Sequence, residues 1–358
     1  MMKLMDREWK AFYISDEKDN GIFKLRASLS GIDKNKLVYC KESDIPYITR
    51  SDFNNGVAMF VGKEQKAKYK IDDGNVITIG LDTQTIFYQP HSFYTGQNIQ
   101  VLYNEHLNKY VAEFIIPLLK MQVSKLSWGG NGATLGRLKR MQLLLPISDY
   151  GQPDYMFMEE FIKEREVIKR KQYLDYCKEQ LKIFGEGYNL IPLADKQWKA
   201  FFIGKIFTIS AGKRLTKADM DSGDIPFIGA TDSNNGITSW VATPNTSFDK
   251  NVLGVNYNGS VVENFYHVYG CVFSDDVKRL HLKNHTDNKY ILLFFKTVIL
   301  LQKTKYTYGY KFNGKRMERQ KILLPVNENG TPDYDYMGKY SKNLLCEKIQ
   351  RYIKYFEC

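Results

Sequence analysis

The sequence predicts an α+β fold of two tandem-duplicated, mostly β domains, each followed by a helix, and three observations predict it. At 358 residues the chain is too long for one ordinary domain and comfortable for two. Four segments recur in the same order at nearly one spacing. After the first copy, Glu159–Phe184 turns to Glu, Lys and Arg with neither Gly nor Pro, a helical composition.

The repeats fix the frame. Trp9-Lys-Ala-Phe-Tyr-Ile14 returns as Trp198-Lys-Ala-Phe-Phe-Ile203, and Asp44-Ile-Pro-Tyr-Ile48 as Asp224-Ile-Pro-Phe-Ile228. Asn108-Lys-Tyr110 returns as Asn288-Lys-Tyr290, and Leu143–Pro146 with Gly151-Gln-Pro-Asp-Tyr155 as Ile322–Pro325 with Gly330-Thr-Pro-Asp-Tyr334. The offsets of 189, 180, 180 and 179 are collinear, so chance is excluded and a solenoid unit of roughly 20–50 residues is too short.

Within each copy the Trp-initiated segment reads as an opening strand. Ile-Pro-(Tyr/Phe)-Ile leads into Asn54-Asn55-Gly56 or Asn234-Asn235-Gly236, where Asn-Gly marks a hairpin turn. Segments 75–80 and 251–256 read as buried strands. Segments 108–122 and 288–303 have helical spacing, with Pro117 expected to end or kink the first. The Leu-Leu-Pro segments close each domain as strands that stop at proline. Pro153-Asp154 and Pro332-Asp333 then fit helix starts with Asp as N-cap.

Leu174, Cys177, Leu181 and Phe184 step by 3, 4 and 3, and Leu345, Ile349, Tyr352 and Phe356 by 4, 3 and 4. Such a seam, with Phe161 added upstream, needs a partner: the other helix, or the domain each helix follows. Residues 158–184 as one helix would span about 40 Å, roughly one turn of B-DNA.

Net charge is +11, and it is uneven: residues 1–189 carry 27 Lys and Arg against 24 Asp and Glu, residues 190–358 carry 24 against 16. The surplus favours a polyanionic partner. Five scattered cysteines without a CxxC pair exclude a disulfide framework or zinc ribbon and fit a cytoplasmic protein. No apolar run is long enough to span a bilayer.

Two diverged domains, each followed by a helix, with Ser210-Ala-Gly-Lys-Arg214, Asp224–Ile228, Asn234-Asn-Gly236 and Arg316-Met followed by Ile322-Leu-Leu-Pro325, resemble a specificity (S) subunit of a Type I restriction-modification system. BcgI-like Type IIB specificity subunits are similar. The resemblance spans the whole chain and rests on the conjunction rather than on one motif. It implies target-recognition domains at 1–153 and 187–332, with a central conserved helix at 154–186 and a C-terminal one at 333–358. It implies that these helices pair as an antiparallel coiled coil. It implies double-stranded DNA as ligand, read as a bipartite target, and docking of two adenine-N6 methyltransferase subunits and a restriction subunit. The first copy departs from the pattern, offering Ser30-Gly-Ile-Asp-Lys34 where the second has Gly-Lys-Arg.

Catalytic signatures are missing. No Pro-Pro occurs for an adenine-methyltransferase clamp, and no P-loop is present. Gly129-Gly-Asn-Gly132 lacks a strand–helix context and reads as a surface loop. His281 and His285 are an i, i+4 pair without a third ligand, so neither metal nor cofactor is expected. For base contact the polar turns are the candidates: Arg50, Ser51, Asp52 and Asn54 in the first copy, Thr231, Asp232 and Asn234 in the second. Lys213, Arg214 and Lys217, with Tyr306, Tyr308 and Lys311, suit phosphate contact. Two other readings remain at this level: a self-sufficient methyltransferase or nuclease with degenerate motifs, and a duplicated protein-binding scaffold.

Overall fold

In the computed structural model, which describes residues 1–40, 43–126, 132–185, 187–307 and 309–357, the segment that opens each copy pairs with the one that closes it. The chain divides into two units, Met1–Tyr173 and Leu174–Cys358.

Unit 1 runs β1 (Trp9–Ser15), β2 (Gly21–Ala27), β3 (Ile45–Ile48), β4 (Val57–Val61), β5 (Val76–Gly80), β6 (Ile86–Gln89), β7 (Tyr94–Thr95), β8 (Ile99–Tyr103), α1 (Lys109–Val123), α2 (Leu135–Leu138), β9 (Gln142–Pro146) and most of α3 (Tyr155–Phe184). β6-β5-β8-β2-β1-β9 form one six-stranded sheet, and β4-β3-β7 a small second one. Trp9 stands opposite Pro146 and Phe12 opposite Leu143 in an antiparallel register. Every residue of β5 is buried, as a strand covered on both faces requires. The core under α1 gathers Phe12, Ile14, Phe23, Ile77, Ile79 and Leu102 with Ile115 and Leu119.

Unit 2 repeats the registers. It comprises β10 (Trp198–Phe202), α4 (Ile203–Ile206), β11 (Phe207–Ala211), β12 (Ser222–Ile228), β13 (Ile237–Val241), β14 (Val252–Asn256), β15 (Asn264–His267), β16 (Val272–Phe273), β17 (Val277–Leu282), α5 (Lys289–Leu300), α6 (Gly314–Arg319), β18 (Lys321–Pro325) and α7 (Tyr334–Glu357). Trp198 faces Pro325 and Phe201 faces Ile322, as Trp9 and Phe12 do in unit 1. Here the large sheet is split: β10-β18 stand apart from β11-β17-β14-β15, with β13-β12-β16 as the third sheet.

The repeated polar residues turn out to be caps. Asn108 accepts from the amides of Tyr110 and Val111, and Asn288 from that of Tyr290. Asp154 accepts from the Phe157 amide at 2.9 Å and Asp333 from the Tyr336 amide at 3.0 Å. The second carboxylate oxygens are held by Arg7 at 2.8 Å and Lys196 at 2.7 Å. Pro117 neither ends nor breaks α1, which continues to Val123. The proline lies on the exposed face, where solvent reaches the carbonyl of Glu113 that loses its helical donor.

Among the described residues the expected antiparallel coiled coil is not seen. The helices are discrete, and both contribute apolar residues to the domain cores. Phe161 packs edge-on against Phe114 of α1 at 5.8 Å, with Phe157 and Met158 in the same core. Met337 joins the unit 2 core, and Tyr340 meets Phe294 of α5 at 6.0 Å. Leu345, assigned to the seam, lines a groove beside α5. Phe184 is buried edge-on against Tyr290 at 6.0 Å, and Cys177 is buried, whereas Leu174, Leu181 and Ile349 are half-buried. Tyr352 and Phe356 contact each other at 4.6 Å. The heptad spacing was real, but any stripe at that spacing fits a domain face as well as a second helix.

Candidate nucleic-acid interface

In unit 2 three connections converge at one end of the β14–β17 sheet. Lys213 and Arg214 follow β11 on a loop whose backbone is tied twice: Gly212 donates to the Val277 carbonyl at 3.1 Å and Lys213 to the Phe273 carbonyl at 2.8 Å. Gly212 is needed for this approach, because a Cβ there would sit 2.0 Å from the Ser274 carbonyl oxygen. Both long side chains are left exposed, and Arg214 reaches Asp275 only at 3.9 Å. The turn between β16 and β17 also holds the β14–β15 connection. Tyr257 donates its amide to the Asp276 carbonyl at 3.0 Å, and Asn258 Nδ2 donates to Asp276 Oδ1 at 2.9 Å. The Lys278 ammonium lies 4.6 Å from the centre of the Tyr257 ring. Burial pushes the Lys278 pKa down, against the pull of Asp275 and Asp276.

The third connection is the predicted polar turn. Ser260 donates to the Ala230 carbonyl at 3.1 Å, and Asn256 Nδ2 to the Thr231 carbonyl at 2.8 Å. Thr231, Asp232, Lys213 and Arg214 therefore belong to linked loops. Tyr257, Asn258 and Lys278 belong with them although sequence reasoning missed them; the Asn258-Gly259 dipeptide carried the same turn signal as Asn-Asn-Gly. Asn258 Oδ1 and Ser274 Oγ have no hydrogen-bond partner among the described residues, leaving acceptor capacity at this edge.

Unit 1 builds the same edge with other chemistry. Arg50, on the loop after β3, forms an ion pair with Asp82 in the β5–β6 turn. Ser51 Oγ accepts from the Phe53 amide at 3.1 Å, and Asp52 and Asn54 are exposed. The Ile32 amide donates to the Thr95 carbonyl at 2.7 Å, the place Lys213 takes in unit 2, yet the Ile32 side chain is fully buried. Hence one copy offers a cation where the other has core.

Asn54, Asn55 and Gly56 have φ of 49°, 56° and 78°, and Asn234, Asn235 and Gly236 have 48°, 53° and 79°. Three left-handed residues in a row are a backbone demand that Asn and Gly meet best, which explains their repetition. Each turn is braced from beneath: Gln89 Nε2 donates to the Asn55 carbonyl at 3.1 Å, while Asn235 Nδ2 donates to Tyr269 Oη at 2.9 Å. His267, at the β15 position matching Gln89, lies 3.4 Å from that hydroxyl, and burial pushes its pKa down to about 4.

The other candidates lie on other segments of unit 2. Lys217 is exposed in the single turn Lys217–Asp219. Tyr306 is half-buried, donating to Gln320 Oε1 at 2.7 Å and stacking on Tyr310 at 5.7 Å. Arg316 lies 3.9 Å over the Tyr310 ring and donates to the Lys311 carbonyl at 2.8 Å. Arg137 makes the equivalent bond to the Gly132 carbonyl at 2.9 Å, so this arginine first serves its loop. Tyr308 and Gly129–Asn131 lie outside the described residues.

His281 and His285 do not converge. His281 Nδ1 is 2.6 Å from Asp287 Oδ2 and its Nε2 3.0 Å from Asp249 Oδ2, and chiefly the Asp287 bond raises its pKa to about 9. His285 lies tilted against the Tyr334 ring at 4.7 Å. Among the described residues no group of three or more His, Cys, Asp or Glu could hold a metal ion, and no helix is long and apolar enough to cross a membrane.

Comparison with known proteins accounts for the duplication. Residues 19–174 and 195–354 each match the family described as Type I restriction modification DNA specificity domain. The chain is 44% identical over 348 residues to the Type II restriction enzyme BgcI specificity subunit S.BcgI of Heyndrickxia coagulans, covering 96% of both. A Type-I restriction-modification system S subunit from M. genitalium matches structurally with a TM-score of 0.47 and 16% identity, over 99% of this chain and 94% of that one. The HsdS subunit from Thermoanaerobacter tengcongensis matches with a TM-score of 0.32 and 13% identity, over 96% and 90%. With one match per copy and a full-length relative, the chain belongs to the family of Type I restriction modification DNA specificity domains, the S subunits of restriction-modification systems.

Proposed function

We propose that each unit reads one half of a bipartite DNA target, with recognition domains at 1–153 and 187–332, and that the chain itself breaks no bond. The observation that carries this is a shared frame with exchanged surface chemistry. The turns, caps and registers repeat, while the side chains they present differ: half-buried Arg50 and Asp82 in unit 1, exposed Lys213 and Arg214 with half-buried Thr231 in unit 2. Lysine and arginine neutralise phosphates and fix the position on the duplex, and polar side chains of the linked loops address base edges in the major groove. Two adenine-N6 methyltransferase subunits dock on the chain and flip the target base out for methyl transfer, and a restriction subunit completes a cleaving complex. We assign the assembly to the cytoplasm, which the scattered cysteines without a CxxC pair favour.

The test is a domain exchange. Replacing residues 190–330 by the matching domain of a relative, co-expressing the hybrid with its methyltransferase subunit and mapping methylated adenines across a genome should change one half of the recognised sequence. A hybrid that changes both halves, or neither, refutes reading by separate units.

A further inference from the structure

Beneath the Asn-Asn-Gly turn the two units hold different buried pairs. In unit 1, Gln89 of β6 donates from Nε2 to the Asn55 carbonyl at 3.1 Å and to Thr78 Oγ1 of β5 at 3.2 Å. The strand registers set His267 of β15 and Gly254 of β14 at the same places in unit 2. Val76 faces Gln89 as Val252 faces His267, and Thr78 faces Phe87 as Gly254 faces Phe265. All four members of the two pairs are buried.

The two exchanges compensate each other. A Cβ on Gly254 would lie 3.1 Å from His267 Nε2, so the imidazole stands in the space a threonine would claim. In return His267 Nδ1 lies 3.4 Å from Tyr269 Oη, and that hydroxyl accepts from Asn235 Nδ2 at 2.9 Å. Unit 1 sends the matching Asn55 Nδ2 to the Tyr88 carbonyl at 2.8 Å instead. The rings of Tyr269 and Phe273 meet the imidazole edge-on at 5.8 and 5.4 Å, and burial among them keeps it neutral. Its Nε2 has no hydrogen-bond partner among the described residues. An apolar side chain would fill this space without stranding a buried nitrogen, so packing alone does not account for the histidine.

We infer that His267 is a positioning residue for the half-site read by unit 2, aiming the left-handed turn through the Tyr269 hydroxyl, and that Gln89 aims the turn of unit 1 directly. Thr231 and Asp232 lead into that turn and Asn234 opens it, so a shift at Asn235 displaces all three from the bases they address. Discrimination is then set in part by side chains that never touch DNA. The Gln89–Thr78 and His267–Gly254 pairs are two solutions of one packing problem, each exchangeable only as a pair. The inference rests on reading by separate units, as proposed above, and adds what holds each reading turn in place.

The test is methylation by the full chain with the methyltransferase subunit of its system, on duplexes carrying single-base variants of each half of the mapped target. His267→Leu keeps apolar bulk but removes the partner of the Tyr269 hydroxyl. It should lower discrimination in one half-site about tenfold and leave the other half unchanged. The salt dependence of DNA binding, set by phosphate contacts, should keep its wild-type slope. His267→Gln with Gly254→Thr installs the unit 1 pair and should restore discrimination to within about twofold of wild type, whereas Gly254→Thr alone should lose it. In unit 1, Gln89→His with Thr78→Gly should likewise be tolerated, and Gln89→His alone should not. A lowered Tm with undiminished discrimination in His267→Leu would assign the histidine to packing and overturn the inference. So would a paired exchange that loses as much as its single; reading by separate units survives both results. Equal losses in the two halves overturn that reading and the inference together.

Discussion

The link after the opening strand takes different routes in the two units. In unit 1, Asp16–Asn20 turn the chain so that β2 runs parallel to β1, Tyr13 beside Gly21 and Ser15 beside Phe23, and one sheet of six strands results. In unit 2 the link is shorter and winds into α4, so β10 and β18 are left as a separate pair. Nevertheless the registers beyond the link agree residue for residue, Ile45 facing Val61 as Ile225 faces Val241. A buried frame absorbs a change of connection because its registers are set by which side chains face the core. The proposed reading edge behaves in the opposite way. At the contact between the polar turn and the neighbouring β-turn, unit 1 has the Arg50–Asp82 ion pair. Unit 2 has Ala230 against Gly259, where a Cβ on the glycine would lie 3.0 Å from that of Ala230.

The largest expected effect breaks the first half of that comparison. A Cβ on Gly21 would fall 1.9 Å from the Ser15 carbonyl oxygen, a backbone atom that cannot yield without opening β1 from β2. Gly21→Ala should cost unit 1 about 3 kcal/mol, at the upper end for overpacking. Gly204, in α4 of unit 2, has its nearest neighbour at 3.0 Å from the added carbon, and Gly204→Ala should change stability by less than about 1 kcal/mol. Urea unfolding followed by hydrogen exchange measures both. Equal losses would mean that the two links constrain their sheets alike.

A smaller effect tests the reading edge. Arg50→Ala removes the guanidinium and leaves Asp82 behind, and it should reduce discrimination at one position of one half-site by about 1–3 kcal/mol. The opposite exchange, Ala230→Arg, should disturb only the other half. Methylation rates on a panel of single-base variants of the target measure both. An Arg50→Ala chain that weakens binding uniformly across that panel would mean that Arg50 contacts phosphate rather than a base edge.

Much of the frame was legible because backbone demands leave marks in sequence. Asn108 and Asn288, Asp154 and Asp333, and the left-handed Asn-Asn-Gly turns repeat since few residues can do their work. Part of the shift of offset from 189 to 180 recorded the altered link, although spacing alone could not say that one route is a parallel strand and the other a helix. The helix pairing was misread because a seam spacing names a buried stripe, not what covers it. At the reading edge Lys213 and Arg214 were legible as a basic loop. Tyr257 and Lys278 were not, because their proximity arises from antiparallel strands and no sequence period connects them.

The smallest effect concerns pH and separates the units again. His281 bridges Asp249 and Asp287, and its pKa is raised to about 9, whereas the matching position of unit 1 is Tyr103. Its ordinary value is about 6.5, so between that pH and about 9 the folded unit holds a proton that the unfolded chain releases. The stabilisation from this histidine is therefore complete below about pH 6.5 and is lost as pH rises through about 9. The side chain is 31% exposed, and solvent screening reduces the gain to roughly 1 kcal/mol. Unfolding of unit 2 monitored from pH 6 to 9.5 should show this decline, and His281→Gln should flatten it while leaving unit 1 unchanged. A decline that survives the substitution would assign the proton to another group and remove His281 from the bonds that hold Asp249 beneath β17.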